Sequence, residues 1–394
     1  MKILMISADP AILIPETQTA QRMRDYAGIF DELHIVVLCC GRAEDRREGN
    51  LFLYAGYGAV LPVRFLRAWR RGRACLRRAP CVVISAQGAD ETGALAWLLA
   101  RRSDIPFQLQ IHTDVMSPWY RRASWKERAR YLLGRFLIPR ADCIRVVSKR
   151  IADHLPQTKF RSLGLNRKCP KLSLGQGQRV DILPIFTDVS RFVSASPDPE
   201  TERRFAGYDF KMIAVGRFVD KEKNFSMLID AMRIFVRICP QALLVIVGEG
   251  RDRGNYELGI RNYGLKKNII LEPWRDDLPS FYQSFDLFVS PSNYEGWGRA
   301  VIEAMAVGLP VVMTDTGLAG EVVKNGENGI VVPVGDAQAF FQAMKRLYED
   351  PQKRKQLAAA GRETAKNLQP ATREDYLARY RQCFESCASA PSGT

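Results

Sequence analysis

Two carboxylates eight positions apart, Glu295 and Glu303, are the side chains in this 394-residue sequence best placed to do chemistry. The apolar run 287–289 before them predicts a strand, and 299–307, closed by Gly308, predicts a helix. A helix N-terminus offers free N–H groups and the positive end of the helix dipole, which suit an anion such as a diphosphate. Carboxylates on either side of it can accept hydrogen bonds from hydroxyl groups. The segment therefore predicts a sugar-nucleotide site, although a lone pair of glutamates at this spacing is more often solvated or capping.

A second group of candidate residues follows the predicted strand 210–215. Arg217 comes directly after Gly216, and Lys223 stands six residues beyond Arg217. A guanidinium and an ammonium at a strand end can hold a diphosphate and stabilise the negative charge that develops as it leaves. An isolated Gly-Arg would be no more than an exposed arginine. Beside the two glutamates on the same predicted sheet, it indicates the phosphate half of the site.

His112 is the candidate in the first half of the chain. It directly follows the predicted strand 107–111, and the whole sequence contains only three histidines. Ligands of doubly wound sheets bind at the carboxyl ends of the strands, so this position favours a functional histidine over a structural one. Asp114 is a weaker companion. Ser148 is a further candidate, with a role as the cap of the following helix at least as well supported.

The sequence around Glu295 resembles the signature of the retaining GT-B glycosyltransferases of family 4. That signature is a glutamate, seven residues and a second glutamate, in a Glu-Gly-aromatic-Gly context, and here it is supplied by Glu295, Gly296, Trp297, Gly298 and Glu303. The resemblance implies that Glu295 contacts the transferred sugar and that the amides after it contact sugar and phosphate. It implies that Glu303 holds the ribose hydroxyls.

The resemblance extends to other segments of the chain. It places Arg217 and Lys223 on the diphosphate, and the segment around Trp274 and Arg275 beside the nucleotide base. One departure is the first strand–helix loop, 7–20, which lacks the Gly-Gly that many members use there. The resemblance also brings His112 to the donor sugar. The catalytic residues it implies are Glu295, His112, Arg217 and Lys223.

Apolar runs alternate with helical patterns in two series, which predicts an α/β protein with two doubly wound parallel sheets. The predicted strands of the first series are 2–6, 32–38, 82–85, 107–111, 143–147 and 180–183, and those of the second are 210–215, 243–247, 269–271, 287–289, 311–313 and 330–333. Two Rossmann-like domains facing a cleft are the GT-B architecture. The expected domains are 1–190 for the acceptor and 191–370 for the nucleotide sugar, with 191–202 as a polar linker. The remainder, 371–394, is expected to be a helix that packs back on the first domain, then a short tail.

The net charge of +15 lies almost entirely in the first half of the chain. Residues 1–190 contain 31 Lys and Arg against 17 Asp and Glu, whereas residues 191–394 contain 27 against 26. The surplus is concentrated in 64–78 and 121–136, both expected to be amphipathic helices. In each segment the basic residues are expected to form a stripe on one helical face: Arg64, Arg67, Arg71 and Arg78 in the first, and Arg122, Lys126 and Arg130 in the second. Such helices suit an anionic membrane surface, and a solvated basic face over an ordinary core is an equal alternative.

Other classes of partner and cofactor are disfavoured. No zinc finger, basic zipper or aromatic RNA-binding pattern accompanies the basic segments, so nucleic acid is not expected as a partner. The nine cysteines include no Cys-x-x-Cys pair and no histidine that completes a zinc motif, which predicts reduced thiols in a cytoplasmic protein. No apolar run reaches about 18 residues. The short apolar run at the N-terminus lacks a cleavage site and predicts a first strand rather than a signal peptide.

Together these features predict a metal-independent retaining hexosyltransferase that moves a sugar from a nucleoside-diphosphate sugar to a hydroxyl of a glycan or lipid-linked acceptor, in surface polysaccharide synthesis. Neither cofactor nor metal is expected, because Arg217 and Lys223 would replace the cation. The enzyme is expected in the cytoplasm, free or peripheral on the inner face of the membrane. Two alternatives stay open: a GT-B nucleotide-sugar epimerase, which the scarcity of histidines disfavours, and a non-catalytic lipid- or nucleic-acid-binding protein on the same scaffold. The second would be expected to have lost Glu295, Glu303 or Arg217.

Overall fold

The computed structural model describes residues 1–156, 172–174, 178–368, 370 and 372–389. Contacts divide the chain into two compact units, one of Met1–Pro184 with Thr372–Thr394 and one of Ile185–Ala371. Each unit is built on its own sheet. The C-terminal helix therefore belongs to the unit that contains the N-terminus.

The first unit contains a nine-stranded sheet. Its strands are β1 (Lys2–Ser7), β2 (Glu32–Cys39), β3 (Arg46–Glu48), β4 (Leu51–Tyr57), β5 (Val83–Ala86), β6 (Phe107–Ile111), β7 (Cys143–Val146), β8 (Leu172–Leu174) and β9 (Gln178–Ile182). Their order across the sheet is β3-β4-β2-β1-β5-β6-β7-β9-β8. The edge strands β3 and β8 run antiparallel to their neighbours, and the other pairings are parallel. The central strands are apolar runs because helices cover both faces of a parallel sheet.

Six helices of the first unit lie between its strands in the sequence. They are α1 (Gln18–Ala27), α2 (Leu61–Arg78), α3 (Glu91–Ser103), α4 (Pro118–Ala123), α5 (Trp125–Leu137) and α6 (Lys149–His154). Side-chain oxygens cap several N-termini, as at Thr17 of α1 and Asp90 of α3. Within the described residues, no helix is both long enough and apolar enough to cross a membrane.

The second unit contains a six-stranded, wholly parallel sheet. Its strands are β10 (Phe210–Val215), β11 (Ala242–Val247), β12 (Ile269–Glu272), β13 (Leu287–Ser290), β14 (Val311–Thr314) and β15 (Ile330–Val332). They lie in the order β12-β11-β10-β13-β14-β15, so β10 and β13 are neighbours at the centre. The helices are α7 (Ser190–Val193), α8 (Pro199–Arg204), α9 (Asp220–Lys223), α10 (Phe225–Phe235), α11 (Arg253–Asn262), α12 (Leu278–Tyr282), α13 (Arg299–Val307), α14 (Ala337–Glu349) and α15 (Pro351–Lys366).

The last helix, α16 (Arg373–Ala388), packs in the core of the first unit. Tyr380 stacks on Tyr26 with ring centroids 4.3 Å apart, and the hydroxyls of Tyr26 and Tyr376 are 2.9 Å apart. The buried guanidinium of Arg145 donates to the Tyr376 hydroxyl at 3.2 Å and to Gln110 Oε1 at 3.1 Å. The helix thus closes a buried polar cluster over β6 and β7.

The structure confirms the two doubly wound sheets and corrects two local predictions. The expected linker 191–202 contains parts of α7 and α8, because Asp198 caps α8 by accepting hydrogen bonds from Glu200 N and Thr201 N. The segment 121–136 is not one helix. Ser124 is extended, with φ −169°, and caps α5. The predicted alignment of Arg122 with Lys126 on a single helical face is therefore wrong.

Candidate active site

A lysine and a glutamate meet at the carboxyl ends of β10 and β13. Lys223 is the last residue of α9, which follows β10, and Glu295 lies in the loop after β13. Lys223 Nζ forms an ion pair with Glu295 Oε1, and Ser292 Oγ donates to the same oxygen at 3.0 Å. Both side chains of the ion pair are largely buried. The structure thus brings together two site residues that are 72 positions apart in the sequence.

Two asparagines hold these loops together, and sequence analysis did not assign them to the site. Asn224 Nδ2 donates to Asn293 Oδ1 at 3.0 Å. Asn293 N donates to Glu222 O at 2.8 Å, and its Nδ2 donates to Lys221 O at 3.2 Å. Asn224 itself has the left-handed backbone, with φ 51°, that ends α9 and starts α10. The available signal was weak, since an asparagine after a strand usually indicates only a turn.

Arg217 lies at the same strand end but on the surface. Its side chain is 73% exposed, and Nη2 lies 3.0 Å from both carboxylate oxygens of Glu222. Gly216 leaves room for Lys223 here, because a Cβ at Gly216 would lie 3.1 Å from Lys223 Cε. A diphosphate would have to compete with Glu222 for the Arg217 guanidinium.

Glu303 is buried in the second turn of α13. Arg299 Nη2 lies 3.3 Å from Glu303 Oε1. Burial raises the pKa of Glu303, while the charges of Arg299 and Arg191 act in the opposite direction. A buried carboxyl whose pKa is raised mainly by desolvation is typical of a functional site, although structural ion pairs also perturb pKa values.

The start of α13 is open. Its N-cap is Gly298, with φ 92°, and no side chain caps the helix there. Such a start leaves backbone N–H groups available to an anion. The Trp297 side chain is buried, and its Nε1 has no hydrogen-bond partner among the described atoms. Because the Trp297 ring is buried, the groups of Gly296 and Trp297 that a ligand could reach are those of the backbone.

Trp274 and Arg275 follow β12, at the edge of the sheet. The β12 strand is two positions from β10 and three from β13. Trp274 is exposed. The guanidinium of Arg275 is held by both oxygens of Asp277, at 2.8 and 2.6 Å, and lies 4.2 Å from the centre of the Phe281 ring. The strand before this pair is therefore adjacent to neither β10 nor β13.

His112 follows β6 in the first unit and is partly buried. Burial lowers the pKa of His112 to about 3, and the charges of Arg145 and Arg22 act in the same direction. The imidazole is therefore neutral at neutral pH. The weaker candidates have other partners: Asp114 Oδ2 lies 2.7 Å from His154 Nδ1, and Ser148 Oγ accepts from Ile151 N at 3.3 Å as the cap of α6.

Several of the basic residues predicted to face a membrane are bonded to neighbours. Arg130 donates to both oxygens of Glu91, at 3.1 and 2.7 Å. The other three such contacts are Arg71 with Asp45 at 2.9 Å, Arg67 with the Tyr57 carbonyl at 2.9 Å and Arg64 with Cys40 Sγ at 3.1 Å. Arg122 and Lys126 are exposed. Arg67 and Arg71 also remain exposed despite these contacts, so four of these six predicted cations lie at the surface.

Sequence analysis missed an apolar hollow on the outer side of α2 and α3. The hollow has a volume of about 470 Å³ and is lined by Leu61, Pro62, Phe65, Leu66, Trp69, Leu98 and Arg102. Neighbouring α5 exposes 76% of Trp125 and 59% of Leu132. Trp97 of α3 meets Phe136 of α5 edge to face at 5.2 Å, and α3 also packs against α2. We call the exposed side chains of these three helices the α2–α3–α5 surface.

Comparison with known proteins agrees with this architecture. The profile "Glycosyl transferases group 1" matches residues 200–364, and "Glycosyl transferase 4-like domain" matches residues 15–162. Sucrose-phosphate synthase from Thermosynechococcus elongatus superposes with a TM-score of 0.75 at 19% identity, covering 98% of this chain and 100% of that one. Anabaena HepE in complex with UDP-glucose superposes with a TM-score of 0.71 at 18% identity, covering 99% and 100%.

Sequence relatives point the same way. The lipopolysaccharide core biosynthesis glycosyltransferase LpsE of Rhizobium meliloti (strain 1021) is 33% identical over 194 residues, which are 48% of this chain and 54% of that protein. The match thus spans about half the length of this curated relative. The two doubly wound sheets and these superpositions show the GT-B fold, as predicted. The chain belongs to the glycosyl transferases of group 1, family 4.

Proposed function

We propose that this protein is a retaining glycosyltransferase that moves a hexosyl group from a nucleoside-diphosphate sugar to a hydroxyl of a glycan or lipid-linked acceptor in surface polysaccharide synthesis. The observation that carries the proposal is the ion pair of Lys223 and Glu295 beside the open start of α13. The name of LpsE and the UDP-glucose bound to HepE support it.

Binding of the donor would exchange partners within the site. The diphosphate takes the Lys223 ammonium and the N–H groups at the start of α13, and it competes with Glu222 for Arg217. Glu295, released from Lys223, accepts a hydrogen bond from a sugar hydroxyl. Glu303 accepts hydrogen bonds from the ribose. His112, neutral at neutral pH, can hydrogen-bond a sugar hydroxyl without adding charge.

The two cations would also serve the chemical step. As the glycosidic C–O bond breaks, negative charge grows on the diphosphate, and Lys223 and Arg217 stabilise it where another enzyme would use a divalent cation. The acceptor oxygen attacks the same face of the sugar, and the leaving phosphate takes the acceptor's proton. The configuration at the anomeric carbon is thereby retained.

The decisive variant is Lys223→Ala, with Lys221→Ala on the same short helix as the matched control. We expect Lys223→Ala to slow transfer about 100-fold or more, because it removes a group that stabilises the developing charge. Lys221 contributes its carbonyl to Asn293, and alanine keeps that carbonyl. The assay measures release of UDP or GDP from a panel of nucleotide sugars with acceptors present, once with excess EDTA and once with added Mg²⁺ or Mn²⁺ in place of EDTA.

The same panel separates the alternatives. Equal rates in the two lysine variants would contradict the assignment of Lys223. Strict dependence on added Mg²⁺ or Mn²⁺ would contradict metal independence. Interconversion of two nucleotide sugars without transfer would indicate the epimerase, and failure of every nucleotide sugar to bind would indicate the non-catalytic alternative.

We also propose that the α2–α3–α5 surface binds an anionic membrane, which would bring the enzyme to a lipid-linked acceptor. Its apolar groups lie among cations. Arg73 and Arg102 lie over the Trp69 ring at 4.9 and 5.6 Å, and Lys126 lies 5.7 Å from the Trp125 ring. Exposed apolar side chains beside basic ones are typical of a surface that inserts at the headgroup level of acidic lipid.

A further inference from the structure

A histidine and two cysteines meet near the amino ends of β2 and β5, whereas His112 follows the carboxyl end of β6. His34, Cys75 and Cys81 are all buried, and their potential ligand atoms lie within 4.8 Å of one another. His34 is the third residue of β2. The cluster is therefore separate from the strand ends at which the candidate active site is built.

The topology explains why Cys75 and Cys81, which are 41 and 47 positions after His34 in the sequence, lie close to it. Leu4 of β1 is paired with His34 on one side and with Ile84 of β5 on the other. Cys81 precedes Ile84 by three residues and so lies toward the amino end of these strands. Cys75 is in the last turn of α2, which packs over β2 and β4.

The donor set is that of a soft or borderline divalent cation. Imidazole and thiolate are the ligands that zinc prefers in structural sites. Zinc–ligand bonds of about 2.0–2.3 Å in a tetrahedron put ligand atoms roughly 3.5–3.8 Å apart. The observed spread of up to 4.8 Å lies within about an ångström of that geometry.

Two further side chains complete the surroundings of the imidazole. Glu32 Oε2 lies 3.0 Å from His34 Nε2, and Tyr54 Oη lies 3.1 Å from Nδ1. If Nε2 binds the metal, Tyr54 orients the ring through Nδ1. If Nδ1 binds it, Glu32 orients the ring from the other side, which is the usual arrangement around a metal-bound histidine.

We propose that His34, Cys75 and Cys81 form a structural zinc site that fastens the end of α2 to the sheet. As zinc binds, the two thiols lose their protons to solvent and no electron is transferred. The site holds α2 in place, and α2 carries part of the apolar hollow. Its role is therefore to stabilise the first unit rather than to take part in transfer.

The test measures metal bound to the full-length protein. Protein purified with a reductant and without chelator is analysed by elemental mass spectrometry, and apoprotein is titrated with Co²⁺, whose thiolate complexes absorb in the near ultraviolet. Variants Cys75→Ser, Cys81→Ser and His34→Gln are compared with Cys143→Ser and Cys387→Ser. The second pair is a suitable control because those thiols are also buried and hydrogen-bonded to each other.

We expect about one zinc per chain in the wild type and in the control variants, and at least a tenfold loss of zinc affinity in each cluster variant. Zinc should also raise the melting temperature of the wild-type apoprotein, a measurement that needs no variant to fold. Three results would overturn the proposal: metal-free wild type that zinc does not stabilise, equal zinc in both sets of variants, or a Cys75–Cys81 disulfide in protein isolated without reductant.

Discussion

At the scale of single residues, Lys223 is neutralised by Glu295 before any ligand arrives. Each of the two largely buried charges compensates the other. Removing one leaves the other as an unpaired buried charge, which destabilises the protein unless a new partner binds it. Glu303 differs, since its nearby cation Arg299 is 3.3 Å away and burial dominates its pKa. The two glutamates of one motif therefore face different electrostatic situations, and their substitutions should have different effects.

Calorimetry on Glu295→Ala and Glu303→Ala should separate the two roles. Glu303→Ala should weaken the binding of free UDP or GDP by about 10-fold to 100-fold, the loss expected for a hydrogen bond to a charged group. Glu295→Ala should bind free nucleotide as tightly as the wild type or more tightly, because Lys223 is then free to pair with the diphosphate. It should lose the extra affinity that the sugar confers.

Glu327→Ala is the control, since that glutamate is exposed and its nearest cation, Lys324, is 3.9 Å away. The opposite pattern in the two motif variants would exchange their roles.

At the scale of elements, α16 is part of the first unit and should contribute to its stability. Tyr380 is fully buried, stacks on Tyr26 and is bonded to Gln110. Tyr380→Ala should lower the free energy of unfolding by about 3–5 kcal/mol, as for other large-to-small aromatic substitutions in a core. Tyr380→Phe keeps the ring and should cost about 1 kcal/mol for the lost hydrogen bond.

Urea denaturation followed by the fluorescence of the chain checks both values. Tyr263→Ala in α11 serves as the control, since Tyr263 is exposed and should change the midpoint little. A Tyr380→Ala protein as stable as the control would mean that α16 adds nothing to the first unit.

At the scale of the whole molecule, the sequence determined the features that are local. Glu295, the glycines and Glu303 lie within one short segment, so their pattern and the strand–helix unit around them could be predicted. The capping of α5 was also readable, because Ser124 and Glu127 have the spacing of a capping box.

Features that depend on which strands are neighbours could not be predicted. The contact of Lys223 with Glu295 requires β10 beside β13, and the cluster at His34 requires β1 between β2 and β5. Burial of Trp297 was equally hidden, since a tryptophan between two glycines is compatible with a ligand stack or with a core. These features result from tertiary packing, which the periodicity of a single segment does not report.

The charge asymmetry of the chain belongs to this same scale. The excess of cations lies in residues 1–190, but Arg67, Arg71 and Arg130 are bonded within the first unit. Membrane binding would therefore depend on the predicted cations that remain exposed, such as Arg122 and Lys126, together with Trp125 and Leu132. Each basic residue near an acidic surface contributes about 1 kcal/mol, and this contribution falls as salt screens it.

Liposome flotation should show binding to vesicles containing acidic lipid at low salt, weaker binding at high salt and little binding to neutral vesicles. Trp125→Glu combined with Leu132→Glu should abolish it, because the change adds negative charge and removes the apolar contact together. Leu258→Glu with Ile238→Glu is the matched control: these residues of the second unit are 50% and 40% exposed and the change in charge is the same. An equal loss of liposome binding in both double variants would mean that net charge alone causes it. Absence of binding by the wild type would contradict a role of the α2–α3–α5 surface at the membrane.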